Sequence, residues 1–292
     1  MAVQSNTPQR RKMERSGLYI TIGGRVTFNP LFLQSSPAFL HVAQLWTAGQ
    51  DWPSFDELHE DCGVRFVLQE PRGLHFEDQY IVQIARTKTV PTRIHDWHDL
   101  CNALTWRMFP QSKWVLNTRH YRALCSRAQD WDIRAPRTTE EDICTLISEN
   151  AVVIAYSSFE DAQAIRDFQW KRLFWDNREG LTERMELFFF GHALLSKARQ
   201  PYIGMTGHGI LLEVAPSFFK ASTRERLRFI DEQLCVILDA QSQGQRAGSQ
   251  RIAKTRDLQP FPILGFPGFD DRANAESFYE NRFYFRDGRR SS

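Results

Sequence analysis

Hydrophobic and polar positions recur along this chain at two periods, and each change of period marks a new element. Residues 1–16 carry almost no apolar pattern and read as a disordered tail. Residues 37–47 and 53–60 have short helical character, the second with Ser54 as its cap. Val64-Arg65-Phe66-Val67-Leu68 predicts a strand. The weak alternation from Gln79 to Ala85 predicts a second, closed by Val90-Pro91. A helix starting near Asp96 is broken at Phe109-Pro110. Another runs from about Gln111 to Ala128, with Pro110 at its start, where a missing N–H costs little. Residues 131–136 read as a loop. The acidic run Thr139-Glu140-Glu141-Asp142 favours a helix to about Ser148. Ala151 to Tyr156 reads as a buried strand, and Ser158 caps a helix to Asp167. A long helical region, bent at Gly180, is predicted from Phe168 to Ala198. His208 to Val214 predicts a strand and Thr223 to Ala240 an amphipathic helix. Residues 241–256, rich in Gln, Gly and Ser, read as a mobile loop. The aromatic, proline-rich stretch from Pro260 predicts an irregular backbone pinned to the core, because that much apolar surface is not left in water. Together these elements predict an α+β fold, predominantly helical, with a small, mostly antiparallel sheet of about four strands. They form one globular domain over residues 17–288, without internal repeats.

The helix pair around Phe109-Pro110 holds the most informative pattern. At ~100° per residue, Leu100, Cys101, Leu104 and Met108 form an apolar stripe on the first helix, and His98, Asn102 and Thr105 form a polar one. Trp106 falls beside the polar stripe, with Asp99, so that side is expected to be covered as well. On the second helix Lys113, Asn117 and His120 interrupt an apolar face, while Thr118, Arg119 and Arg122 mark the solvated side. A buried polar group without a partner costs roughly 1–3 kcal/mol. The three are therefore expected to find partners, and the first helix's polar stripe is nearest. Two readings stay open: a hydrogen-bond network that only locks the helices, or a ligand-binding or catalytic pocket. His192 is a further candidate, predicted to share a helical face with Met185, Phe188, Phe189 and Leu195. The plainer alternative is a satisfied core histidine.

Composition narrows this picture. With 292 residues, 42% of them hydrophobic and 25% charged, the chain can bury a sizeable core. A net charge of +2 is too small to argue for a nucleic-acid partner. Five cysteines without a Cys-x-x-Cys pair predict reduced thiols in a cytosolic protein. The first 17 residues hold no apolar signal segment, and no run of about 18 apolar residues occurs, so neither export nor a membrane span is expected. His95-Asp96-Trp97-His98-Asp99 has metal-ligand residue types, but His95 lies at the helix boundary. The sequence accordingly supplies no metal ligand and implies no cofactor. Phosphate-loop, dinucleotide and nucleophile-elbow motifs are missing.

One motif carries a family resemblance: Val90-Pro91-Thr92-Arg93, then Trp97-His98-Asp99-x-x-Asn102-Ala103-Leu104-x-Trp106-x-x-Phe109-Pro110-x-x-Lys113-x-x-Leu116-Asn117-x-x-His120. Trp170-Lys171, Phe174-Trp175, Phe190-Gly191-His192-Ala193-Leu194-Leu195, Pro201-Tyr202-x-Gly204 and Pro262-x-Leu264-Gly265-x-Pro267-Gly268 follow in order. Asn274, Phe278-Tyr279 and Phe285-Arg286 complete the series. This set resembles the bacterial family called domain of unknown function 3025, over nearly the whole chain after its N-terminal region. The chain departs from it at Ser196, where an acidic residue is usual, and His95 and Asp96 lie outside its pattern. The resemblance implies a bacterial, cytosolic, single-domain protein and supplies no catalytic residues.

The functional expectation is a cytosolic protein with a polar pocket between the two helices, binding or acting on a small polar or anionic ligand. In a hydrolytic version His98 or His120 is the general base, oriented by Asp99, since a histidine titrates near neutral pH. Lys113 binds an anionic group, and Asn102, Asn117 and His192 complete the ligand set. The rival is a non-catalytic interaction protein. Its polar cluster only fixes the fold, and its aromatic C-terminal segment docks on a protein or nucleic-acid partner.

Overall fold

The computed structural model describes residues 20–22, 26–28, 53–59, 62–71, 75–127, 136–239 and 252–289. The expected tail at 1–16, the helix at 37–47 and most of the loops at 131–136 and 241–256 lie outside the described residues.

Local chemistry sets most element boundaries. Strands β1 (Ile20–Ile22) and β2 (Val26–Phe28) pair antiparallel. Helix α1 (Phe55–Leu58) begins with a reciprocal cap between Ser54 and Glu57. Strand β3 (Arg65–Leu68) follows. The stretch expected as a second strand is instead helix α2 (Tyr80–Thr87), and the strand comes after it as β4 (Thr89–Thr92), parallel to β3. Short apolar runs do not separate the two periods; tertiary contact decides here. Val82 packs with Phe76 and Leu124, and Lys88, at φ 55°, ends the helix by donating its N–H to the Ile84 carbonyl.

Asp96 caps α3 (Trp97–Met108) by accepting from the Asp99 N–H. Phe109 joins it to α4 (Pro110–Arg127). The start of α4 is capped from a distance. Asp231 accepts from the N–H groups of Gln111 (3.0 Å) and Ser112 (2.8 Å) and from the Ser112 hydroxyl (2.5 Å). Arg119, expected on the solvated side of α4, is buried. It donates to Glu140 and to the carbonyls of Leu238 and Ile252, and so clamps α4 to three other segments.

Helix α5 (Thr139–Asn150) opens with a Thr138–Glu141 capping box and runs directly into β5 (Ala151–Tyr156), buried at all six positions. Ser158 caps α6 (Phe159–Arg166). The region expected as one bent helix is broken. A π-helical turn at Arg172–Asp176, α7 (Leu181–Arg184), strand β6 (Met185–Phe189) and α8 (His192–Lys197) succeed one another. The apolar run Leu187–Phe190, buried on both faces, carries no period, and pairing with β5 makes 185–189 a strand, with Val152 opposite Phe189 and Tyr156 opposite Met185. His192 therefore does not share a helical face with Met185 and Phe188.

Strand β7 (Thr206–Glu213), helix α9 (Thr223–Leu238) and strand β8 (Gln259–Pro262) complete the elements used below. The larger sheet has the order β6-β5-β7-β8. Its outer pairs are antiparallel but the central β5–β7 pair is parallel, so the four-stranded sheet is mixed. The fold is α+β, with helices as the major component. The C-terminal aromatic segment is pinned as expected. Phe261, Ile263, Leu264 and Phe285 are buried, and the Tyr284 hydroxyl donates to the Met205 carbonyl at 2.7 Å. Among the described residues no helix is long and apolar enough to cross a membrane.

Candidate functional site

The break at Phe109 lays α4 against α3, and the polar groups of the two stripes meet. Lys113, only 4% exposed, donates from Nζ to Asn102 Oδ1 at 3.0 Å and to the Ser148 hydroxyl at 3.5 Å. The rings of Trp106 and Phe190 flank its ammonium at 5.6 and 5.7 Å. Burial brings Lys113 down to about 7, with nearby Glu149 pulling the other way. Asn102 Nδ2 donates to the Tyr80 hydroxyl at 2.7 Å, and Asn117 Nδ2 to the Ile81 carbonyl at 3.4 Å. Lys113 thus bridges Asn102 and Ser148, and Asn117 is anchored separately to α2.

A second group adjoins this one. His98, on the first turn of α3, and His192, the first residue of α8, face each other with Nε2 atoms 3.1 Å apart. Glu149, near the end of α5, places Oε1 3.5 Å from the same His192 nitrogen. One ligand atom from each of the three residues lies within 4.8 Å of the others.

Gly191 makes the approach possible. A Cβ there would sit 2.5 Å from the backbone nitrogens of Asn150 and Ala151, so only glycine lets α8 start against the α5–β5 junction. The Gly191 N–H donates to the Ala151 carbonyl at 2.8 Å and fixes that contact. Burial, then Lys113, then His98 hold His192 well below the usual histidine range, while the Ser148 backbone carbonyl acts in the opposite sense. His192 is accordingly a neutral imidazole, the form that binds metals. It is buried, whereas the Glu149 side chain is 32% exposed and opens the cluster to solvent.

The remaining candidates lie elsewhere. Asp99 turns away from the histidines: its carboxylate accepts from the Arg93 N–H at 2.7 Å and from the guanidinium at 2.9 and 2.8 Å. It therefore cannot orient either imidazole. His120 sits at the other end of α4, among Arg137, Glu141, Arg127 and Asp142. Burial first, then Arg137, lowers it to about 4. The structure brings together His98, Asn102, Lys113 and His192, and leaves Asp99, Asn117 and His120 outside.

Sequence reasoning missed Glu149 and Ser148. One local signal pointed to Glu149: a carboxylate in the last turn of a helix opposes the helix dipole, so its placement there asks for a reason.

The three-residue cluster has the chemistry of a metal centre. Two imidazoles and one carboxylate form a recognised zinc ligand set with a fourth position open to water or substrate. A tetrahedron with metal–nitrogen bonds near 2.0–2.1 Å has ligand–ligand edges of about 3.3 Å. Two of the three separations, 3.1 and 3.5 Å, bracket that value, and the third is within 4.8 Å.

A family model described as a protein of unknown function, DUF3025, matches residues 64–289, a span that includes every residue of both groups. No curated protein and no solved structure matches the chain.

Proposed function

The chain belongs to the DUF3025 family, and from that premise we propose that it is a metal-dependent protein acting on a small anionic ligand. His98, Glu149 and His192 hold one divalent transition metal, and the open coordination position takes a water molecule or the ligand. The observation that carries this reading is the convergence of three ligand atoms within 4.8 Å from three segments remote in sequence.

Charge balance argues for an anion. A divalent cation, one carboxylate and two neutral imidazoles leave one positive charge, and a protonated Lys113 raises it to two. A metal-bound water with its pKa lowered to about 7 is a nucleophile at neutral pH, which suits hydrolysis. His98 then serves as a ligand rather than as a general base. Lys113 and Asn102 brace the site from behind: their mutual bond favours the rival structural role for these two residues, without extending it to the histidines.

The test is metal-dependent turnover. Protein stripped with a chelator is assayed on p-nitrophenyl phosphate and p-nitrophenyl acetate, before and after addition of zinc or manganese. Hydrolysis restored by metal in the parent, but not in Glu149→Gln, supports the reading. Equal rates with and without metal, or no turnover of either ester, overturn the hydrolytic part. Absence of any bound metal on elemental analysis overturns the whole.

A further inference from the structure

A cleft of about 920 Å³ lies on another part of the molecule, between the Tyr202–Gly204 loop and the C-terminal segment. It lies within the size range of small-molecule sites, roughly 300–1,000 Å³. Three arginines line it, Arg256, Arg286 and Arg289, and the lining contains no aspartate or glutamate. None of the three forms an ion pair among the described residues. Arg289 donates to the Leu258 carbonyl and to Gln259 Oε1, and Arg286 donates to the Phe283 carbonyl. Arg256 has neither a hydrogen bond nor an ion pair among the described residues. Its sequence neighbour Asp257 accepts from the N–H groups of Ala253 and Lys254. Burial, then the nearby Arg256, lowers Arg289, with Asp257 acting in the opposite sense; the two guanidiniums repel each other, and an anion between them would relieve that repulsion.

The cleft also offers aromatic faces at its mouth. Tyr202 is 51% exposed and Phe283 71%, unusual for side chains of that size. The Arg286 guanidinium lies over the Phe283 ring at 5.7 Å. Trp170 forms part of the wall and is fixed by its indole N–H, which donates to the Arg286 carbonyl at 2.8 Å. Arginine beside exposed aromatic rings recognises planar rings by stacking and phosphate by paired hydrogen bonds.

We propose that this cleft binds a nucleoside monophosphate, with its base against Tyr202 and Phe283 and its phosphate between Arg256 and Arg289. Simple phosphate engages the arginines alone, and a nucleoside engages the rings alone, so neither matches the ligand that carries both. The lining is independent of the metal cluster, and the two sites can be tested separately.

Calorimetric titration of the full chain, stripped of metal and in ~50 mM salt so that screening is modest, distinguishes the outcomes. AMP, adenosine and inorganic phosphate are the probes, with a ten-nucleotide single-stranded DNA as a fourth. AMP is expected to bind at one site per chain, at least tenfold tighter than adenosine or phosphate. Arg256→Glu and Phe283→Ala, both at exposed side chains, should each weaken AMP at least tenfold with Tm unchanged. His98→Ala should leave AMP binding intact. The proposal is overturned if AMP gives no saturable binding, if phosphate binds as tightly as AMP, or if the two cleft variants bind AMP like the parent. It also falls if the oligonucleotide binds more than tenfold tighter than AMP, which would make the cleft part of a nucleic-acid surface.

Discussion

The facing nitrogens of His98 and His192 lie 3.1 Å apart, and the buried amine of Lys113 stands behind them. The residues around them divide into those that bind and those that brace. Lys113→Met keeps the stem but leaves the buried Asn102 Oδ1 without its donor, so it should cost roughly 1–3 kcal/mol in a urea melt. A stabilised variant would show that the Lys113–Asn102 bond contributes nothing. His120 gives a separate test by pH. Its folded value is lowered to about 4, against an ordinary value of 6.5. The native state therefore binds fewer protons than the unfolded chain between those values. Stability should fall as pH drops from 6.5 toward 4, by at most about 1.4 kcal/mol per pH unit from this group. His120→Gln should flatten that slope; an unchanged slope in parallel melts would mean that His120 is not held neutral. Lys113 and Asn102 were legible in the sequence because polar residues interrupted stripes that had to be covered. The partnership of His98 with Glu149 and His192 was not, because it depends on three segments meeting in space.

At the scale of elements, local chemistry reads well and buried runs read poorly. The caps at Ser54, Asp96, Thr138 and Ser158 start helices where hydroxyl or carboxylate side chains satisfy free N–H groups, and such signals need no tertiary information. The helix expected over 168–198 failed because Leu187-Phe188-Phe189-Phe190 is an apolar run without a period, and only the pairing of Met185–Phe189 with β5 makes that segment a strand. That correction matters for the site, since the end of β6 delivers Gly191 and His192 to the end of α5. Gly191→Ala would press a methyl group into the Asn150 and Ala151 backbone. It should destabilise the protein by about 1–3 kcal/mol and push His192 away from Glu149. The expected signature is lost metal affinity in a protein that still folds. Unchanged affinity would mean that α8 tolerates displacement. Asp231→Ala should also cost about 1–3 kcal/mol, because it strips the cap from α4. Its effect on metal binding should be much smaller, since Asp231 touches none of the three ligands.

For the whole molecule, the proposed centre joins α3, α5 and α8, three helices remote from one another in the chain. A metal held by all three binds the folded state and not the dispersed ligands of the unfolded chain. It should stabilise the protein by about 2.7 kcal/mol when free metal is at a hundred times its Kd. The most direct test of the central claim is a zinc titration of the metal-free full chain by calorimetry, run beside His98→Ala, Glu149→Gln and His192→Ala. One zinc per chain is expected for the parent, with affinity reduced at least a hundredfold by either histidine variant and at least tenfold by Glu149→Gln. Parent protein that takes up no stoichiometric zinc, manganese, iron or cobalt, or variants that bind as tightly as the parent, would contradict the assignment of His98, Glu149 and His192 as a metal centre.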